Sequence, residues 1–67
     1  MAISLKAARV NVNLTQDEAA KRIGVTKDTI RNWEQGKHFP PVDKLKIMLQ
    51  VYNVKYEDLN FSPSDNA

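Results

Sequence analysis

Four polar residues in the middle of the chain could act together on one ligand. Ile30 and Trp33 have the i,i+3 spacing that places two apolar side chains on one face of a helix. The opposite face of that helix would then carry Lys27, Asp28, Arg31 and Asn32. Cationic, carboxylate and carboxamide groups are those that hydrogen-bond to base edges in the major groove of DNA. The spacing therefore predicts a helix able to contact DNA bases.

The segment 16–35 around these residues has the pattern of two short helices joined by a tight turn. Thr15 can cap the first helix, and Glu18 completes a capping box. Gly24 can adopt the left-handed conformation that ends a helix, and Thr26 can cap the next one. A connection this short forces the helices to cross steeply, which predicts a helix-turn-helix motif.

Three further helices are predicted around the motif. One runs from a cap at Ser4 to about Val10, another follows Pro40 and Pro41, and a last short helix covers residues 56–60. The predicted core consists of Leu5, Leu14, Ala20, Ile23, Val25, Ile30, Trp33, Leu45, Met48, Leu49, Tyr52 and Leu59. We expect an all-α fold, a compact five-helix bundle over residues 1–60, followed by a flexible tail over 61–67.

Composition narrows the possible classes of protein. The chain has 67 residues and no cysteine, so compact local packing must stabilise it without disulfides. No apolar run approaches the roughly 20 residues of a membrane span, which predicts a soluble, cytoplasmic protein. With one histidine and no glycine-rich loop, we expect no enzyme, metal, cofactor or small-molecule ligand. Residues 1–40 hold seven Lys or Arg against four acids, as a surface that faces nucleic acid would.

Further residues at fixed spacing extend the helix-turn-helix pattern in both directions. They are Leu14-Thr15-Gln16, Ala20, Gly24, Val25, Thr26, Ile30, Trp33-Glu34-Gln35-Gly36-Lys37, Pro40, Leu45, Met48, Val54 and Glu57-Asp58-Leu59. Over about residues 4–60, the chain resembles the phage Cro and repressor family, including its Xre-like members. The resemblance implies a lambda-repressor-like domain, a Cro/C1-type transcription regulator that binds double-stranded operator DNA, most simply as a homodimer.

The resemblance also implies roles for individual residues. The base-contacting set is Lys27, Asp28, Arg31 and Asn32. The set that contacts the DNA backbone is Gln16, Thr26, Thr29, Gln35 and Lys37. Arg9 would pair with Glu34 and so connect the first helix to the third. Asn53 and Lys55 depart from the family pattern. Asn53 replaces a glycine after the fourth helix, where it can adopt the same left-handed cap, and Lys55 replaces a capping serine, so the fifth helix could start poorly.

Some of these residues have a simpler structural interpretation. Asp28 lies in a first helical turn, where a carboxylate stabilises the helix dipole, and it could pair with Arg31 instead of contacting a base. Thr15 and Thr26 act primarily as helix N-caps, and any contact with DNA would be a secondary role. Trp33 follows Ile30 by one turn, which favours a place in the core over a stacking platform.

Two functions therefore remain open. The first is an operator-binding regulator of phage or prophage origin whose dimer places recognition helices in successive major grooves, about 34 Å apart. The second is a protein-binding module that captures a partner repressor. Ile47 and Val51 lie i,i+4 on the fourth helix, opposite its predicted core face, and could form a protein-contact patch. The net charge of only +2 is compatible with either function.

Overall fold

Four α-helices and one pair of two-residue strands make up residues 2–61, the part of the chain that the computed structural model describes. In chain order the elements are β1 (Ile3–Ser4), α1 (Leu5–Asn11), α2 (Gln16–Ile23), α3 (Lys27–Glu34), α4 (Val42–Tyr52), a 3-10 turn (Tyr56–Asp58) and β2 (Leu59–Asn60). The helix-turn-helix predicted within 16–35 corresponds to α2 and α3.

Side-chain caps begin the first three helices, as the sequence predicts. The hydroxyls of Ser4, Thr15 and Thr26 each accept a hydrogen bond from the backbone N–H three residues later, at 3.0, 3.1 and 3.2 Å. The carboxylate of Glu18 accepts a hydrogen bond from the backbone N–H of Thr15 at 2.9 Å, which completes the capping box. That bond from Thr15 holds the pKa of Glu18 below its ordinary value, because it favours the ionised carboxylate.

Left-handed residues end α2 and α4. Gly24 has φ +88° and Asn53 has φ +55°. Glycine adopts this conformation without a steric cost, and asparagine is among the few other residues that tolerate it. Both predicted helix ends are confirmed.

The predicted fifth helix is present only as one 3-10 turn, shorter than expected. Tyr56–Asp58 form a single 3-10 turn, and Leu59–Asn60 pair in parallel with Ile3–Ser4 at the other end of the chain. Lys55 gives this turn no side-chain hydrogen bond as a cap, and the backbone of the next residues is extended in the strand pair. The fold is therefore mostly helical with a minimal parallel sheet, and not an all-α five-helix bundle.

The core lies where the four helices meet. Its buried apolar members are Leu5, Ala8, Ala19, Ala20, Ile23, Ile30, Trp33, Leu45, Met48, Tyr52 and Leu59. The two alanines of α2 remove side-chain bulk where that helix packs against its neighbours. Leu14, Val25 and Leu49, which are predicted core residues, are only half-buried and pack against the edge of the core.

Phe61 packs within the domain although it falls in the predicted tail. Its ring lies 4.7 Å from that of Phe39 and 5.6 Å from that of Tyr56, measured between centroids. The other residues of the predicted tail, 62–67, lie outside the described residues.

Shortening a core side chain should cost much of the stability of so small a domain. We expect Ile23→Ala to lower the free energy of unfolding by about 2–5 kcal/mol, because it leaves a cavity among close-packed neighbours. Val42→Ala is the control, since Val42 is 68% exposed, and it should change stability by less than about 0.5 kcal/mol. Urea denaturation measures both. Equal losses in the two variants would contradict the burial of Ile23 in the core.

Candidate nucleic-acid interface

Helix α3 turns one face into the core and the other toward solvent. Ile30 and Trp33 are 1% and 5% exposed. On the opposite side, Lys27, Asp28 and Arg31 are exposed and Asn32 is half-buried. The structure thus brings the four predicted base-contacting residues together on one accessible helix face.

Two of these four residues form an ion pair with each other. Asp28 Oδ1 lies 3.0 Å from Arg31 Nη2, along the helix. Both side chains are more than half exposed, so the pair adds little to stability. Within residues 2–61, the side chains of Lys27 and Asn32 have no such partner. Those two side chains are therefore the more available for contact with a ligand.

Four of the five predicted backbone-contacting residues, all except Gln16, lie at the two ends of α3. At its start, the hydroxyls of Thr26 and Thr29 lie 2.9 Å apart. At its end, Gln35 is the C-cap, and the backbone N–H of Lys37 donates to the carbonyl of Asn32 at 2.9 Å. The side chains of Gln35 and Lys37 are exposed.

A buried ion pair joins α1 to α3, as the resemblance implies. Arg9 Nε donates to Glu34 Oε2 at 2.6 Å, and Arg9 Nη2 donates to Glu34 Oε1 at 3.2 Å. Arg9 Nη1 also donates to the carbonyl of Leu14 at 2.8 Å. Arg9 and Glu34 are both less than one-tenth exposed. This bidentate geometry satisfies the carboxylate at both oxygens, which is what a buried pair requires.

The same carboxylate also holds Gln16, the first residue of α2. Gln16 Nε2 donates to Glu34 Oε1 at 3.1 Å. The predicted contact of Gln16 with DNA must therefore be compatible with this bond. A carboxamide has a second N–H and an acceptor oxygen, so the side chain keeps hydrogen-bonding capacity while its position is fixed.

The predicted protein-contact patch is less exposed than the sequence pattern suggests. Ile47 and Val51 are half-buried and pack against the core. Phe39, Tyr56 and Phe61 form an aromatic cluster that no sequence motif marks, and Phe39 and Tyr56 are more than half exposed. The sequence does show aromatic residues outside the α-helices. No pattern among neighbouring residues shows that Phe39, Tyr56 and Phe61 meet in the fold.

Comparison with known proteins identifies the arrangement. A family model described as helix-turn-helix matches residues 5–59, nearly the whole described region. The chain belongs to the Cro/C1-type, Xre-like helix-turn-helix family. Members of this family bind double-stranded DNA and are not enzymes.

Several relatives of this helix-turn-helix protein carry regulator names. An uncharacterized HTH-type transcriptional regulator of Archaeoglobus fulgidus is 39% identical over 59 residues, which cover 88% of this chain and 83% of that protein. An uncharacterized regulator of Methanocaldococcus jannaschii is 38% identical, with coverage of 82% and 83%. The HTH-type transcriptional activator BcrR of Enterococcus faecalis is 33% identical over 82% of this chain but only 27% of its own length. No solved structure gives a significant match.

Other kinds of site are not seen in the described region of this helix-turn-helix protein. Between residues 2 and 61, no three His, Asp or Glu side chains cluster closely enough to hold a metal ion. The helices of that region also fall short of the length and apolarity that a bilayer crossing requires.

Removing one partner of the buried pair should destabilise the domain. We expect Glu34→Ala to lower the free energy of unfolding by about 3–5 kcal/mol, because Arg9 is left buried without its counter-charge. The double variant Arg9→Met/Glu34→Leu should recover most of that loss, since no charge then remains buried. Chemical denaturation followed by circular dichroism measures these changes.

Asp28→Ala is the matched control, because it removes a carboxylate from the exposed pair of the same helix. It should cost less than about 1 kcal/mol. A loss for Glu34→Ala no larger than that of the control would show that the buried pair does not hold α1 and α3 together.

Proposed function

We propose that this protein is a sequence-specific regulator of Cro/repressor type that binds operator DNA as a homodimer, with α3 in the major groove. The observation that carries the proposal is the burial of Ile30 and Trp33, which leaves the polar face of α3 accessible along its length. The major groove of B-form DNA is wide enough to admit one α-helix. The family membership of the chain supports DNA as the ligand.

Base contacts would come chiefly from the two residues of this face whose side chains have no partner among residues 2–61. A lysine ammonium suits the guanine acceptors, and a carboxamide suits adenine, so we assign these preferences to Lys27 and Asn32. Asp28 could accept from a cytosine amino group while Arg31 offsets its repulsion by phosphates. Gln16, Thr26, Thr29, Gln35 and Lys37 would contact the backbone, which sets position and adds no sequence information.

The size of the domain supports a dimer on DNA. The described part of the chain measures 25 × 23 × 21 Å, whereas equivalent major grooves on one side of the duplex are about 34 Å apart. One domain therefore covers a single half-site, and a symmetric operator takes two copies. A dimer that covers a promoter would repress by excluding polymerase, as in the phage or prophage switches that the sequence resembles. The alternative function is capture of a partner repressor. It gains no added support, because Ile47 and Val51 are half-buried.

Salt dependence tests whether DNA is the ligand. A preferred duplex is selected from a random pool, and the affinities for it and for an unrelated duplex are measured by fluorescence anisotropy between about 50 and 200 mM salt. We expect log affinity to fall linearly with log salt, and the selected duplex to bind at least about 10³-fold more tightly. A module that binds only protein would show weak binding without sequence preference, which would refute the proposal.

Substitution of one base-contacting residue should alter sequence preference. We expect Asn32→Ala to cost about 1–3 kcal/mol on the selected duplex and to relax the preference at one base pair. Repeating the selection with the variant measures that change, and a thermal melt checks folding.

Lys37→Gln is the contrasting variant, because it removes a proposed backbone contact. It should weaken binding to selected and unrelated duplexes by the same factor. If Asn32→Ala also weakened both duplexes equally, Asn32 would not be a base-contacting residue.

A further inference from the structure

A surface hollow of about 170 Å³ lies beside α3, where three helices converge. Its lining residues are Lys6, Gln16, Arg31, Glu34 and Gln35. Lys6 belongs to α1, Gln16 opens α2, and the other three lie in or directly after α3. At about 30 Å³ for each water in the liquid, this space is large enough for a small hydrated anionic group.

The charges around the hollow favour an anion. Glu34 is the one acidic residue among its described lining residues, and Arg9 neutralises it through two hydrogen bonds. Lys6 and Arg31 remain as cations. The two glutamines add neutral amide donors, and the bond from Gln16 to Glu34 fixes one of them in place.

We infer that this hollow holds one phosphate of the DNA backbone, with Lys6 and Arg31 supplying the charge and Gln16 and Gln35 the hydrogen bonds. The inference rests on the proposed function, because the phosphate belongs to the bound duplex. It adds Lys6 to the DNA-binding residues, although nothing in the sequence pattern marks it. It also reassigns Arg31 from a base contact to a backbone contact.

Arg31 can fill this role without leaving its partner on α3. Its Nη2 lies 3.0 Å from Asp28, and a guanidinium has five N–H donors in a fixed plane. The Asp28 carboxylate can therefore orient the guanidinium while other N–H groups donate to a phosphate oxygen. A cation held in this way on the α1 side of α3 leaves direct base contacts to Lys27 and Asn32.

The first test removes the charge of Lys6. Lys6→Gln is compared with Lys46→Gln, since both residues are exposed lysines of a helix but Lys46 does not border the hollow. Affinity for an unrelated duplex of about 20 base pairs, long enough for two half-sites, is measured across the same salt range. Lys6→Gln should weaken binding several-fold and reduce the steepness of the log–log salt slope by about 1.8, because each of the two bound copies loses one phosphate contact worth about 0.9. Lys46→Gln should leave that slope unchanged.

The second test separates backbone from base contact for Arg31. Arg31→Gln should weaken the selected and the unrelated duplex by the same factor, and Arg31→Lys should restore most of the salt slope because a phosphate accepts either cation. A loss confined to the selected duplex, without rescue by lysine, would make Arg31 a base-contacting residue and overturn its reassignment.

The outcomes distinguish this inference from the function on which it rests. If the unaltered protein bound no duplex, the proposed function itself would fail. If the unaltered protein bound DNA and Lys6→Gln left the salt slope unchanged, only the phosphate site would be overturned. Circular dichroism of each variant confirms that the helices are intact.

Discussion

The bidentate bond between Arg9 and Glu34 is the interaction on which the arrangement of the helices depends. It joins α1 to α3, and Glu34 also accepts a hydrogen bond from Gln16 at the start of α2. Burial raises the pKa of Tyr52 in α4 to about 12, and the charge of Glu34 contributes to the increase while Arg9 opposes it. All four helices thus meet near one ion pair. In a chain without disulfides, such a junction restricts how the helices can cross.

This junction connects the interior of the domain to the face of α3 that we propose binds DNA. The carboxylate of Glu34 is part of the buried pair and also borders the polar hollow beside α3. If that hollow holds a phosphate as we propose, Arg9 neutralises the Glu34 carboxylate that would otherwise repel the phosphate. The same bonds help to hold α3 with Ile30 and Trp33 inward, so the face that we propose contacts bases is already oriented in the free domain. Preorganisation of this kind lowers the conformational cost of recognition.

Much of the local structure was predictable because it depends on neighbours in the sequence. The caps at Ser4, Thr15 and Thr26 and the left-handed ends at Gly24 and Asn53 each involve backbone groups within a few residues. The outward face of α3 follows from helical periodicity once two of its residues are known to be apolar. The pairing of Arg9 with Glu34 was different, since it came from the family pattern and not from periodicity.

The sequence by itself determined the helix-turn-helix motif and the identity of its exposed residues, because capping and periodicity act over one or two turns. The tertiary structure decided what depends on distant segments. It replaced the expected fifth helix with a 3-10 turn and a short strand that pairs with β1 at the opposite end of the chain, and it brought Phe61 against Phe39. It also placed Lys6 and Arg31 around the same hollow, because only the packing of α1 on α3 joins residues so far apart in sequence.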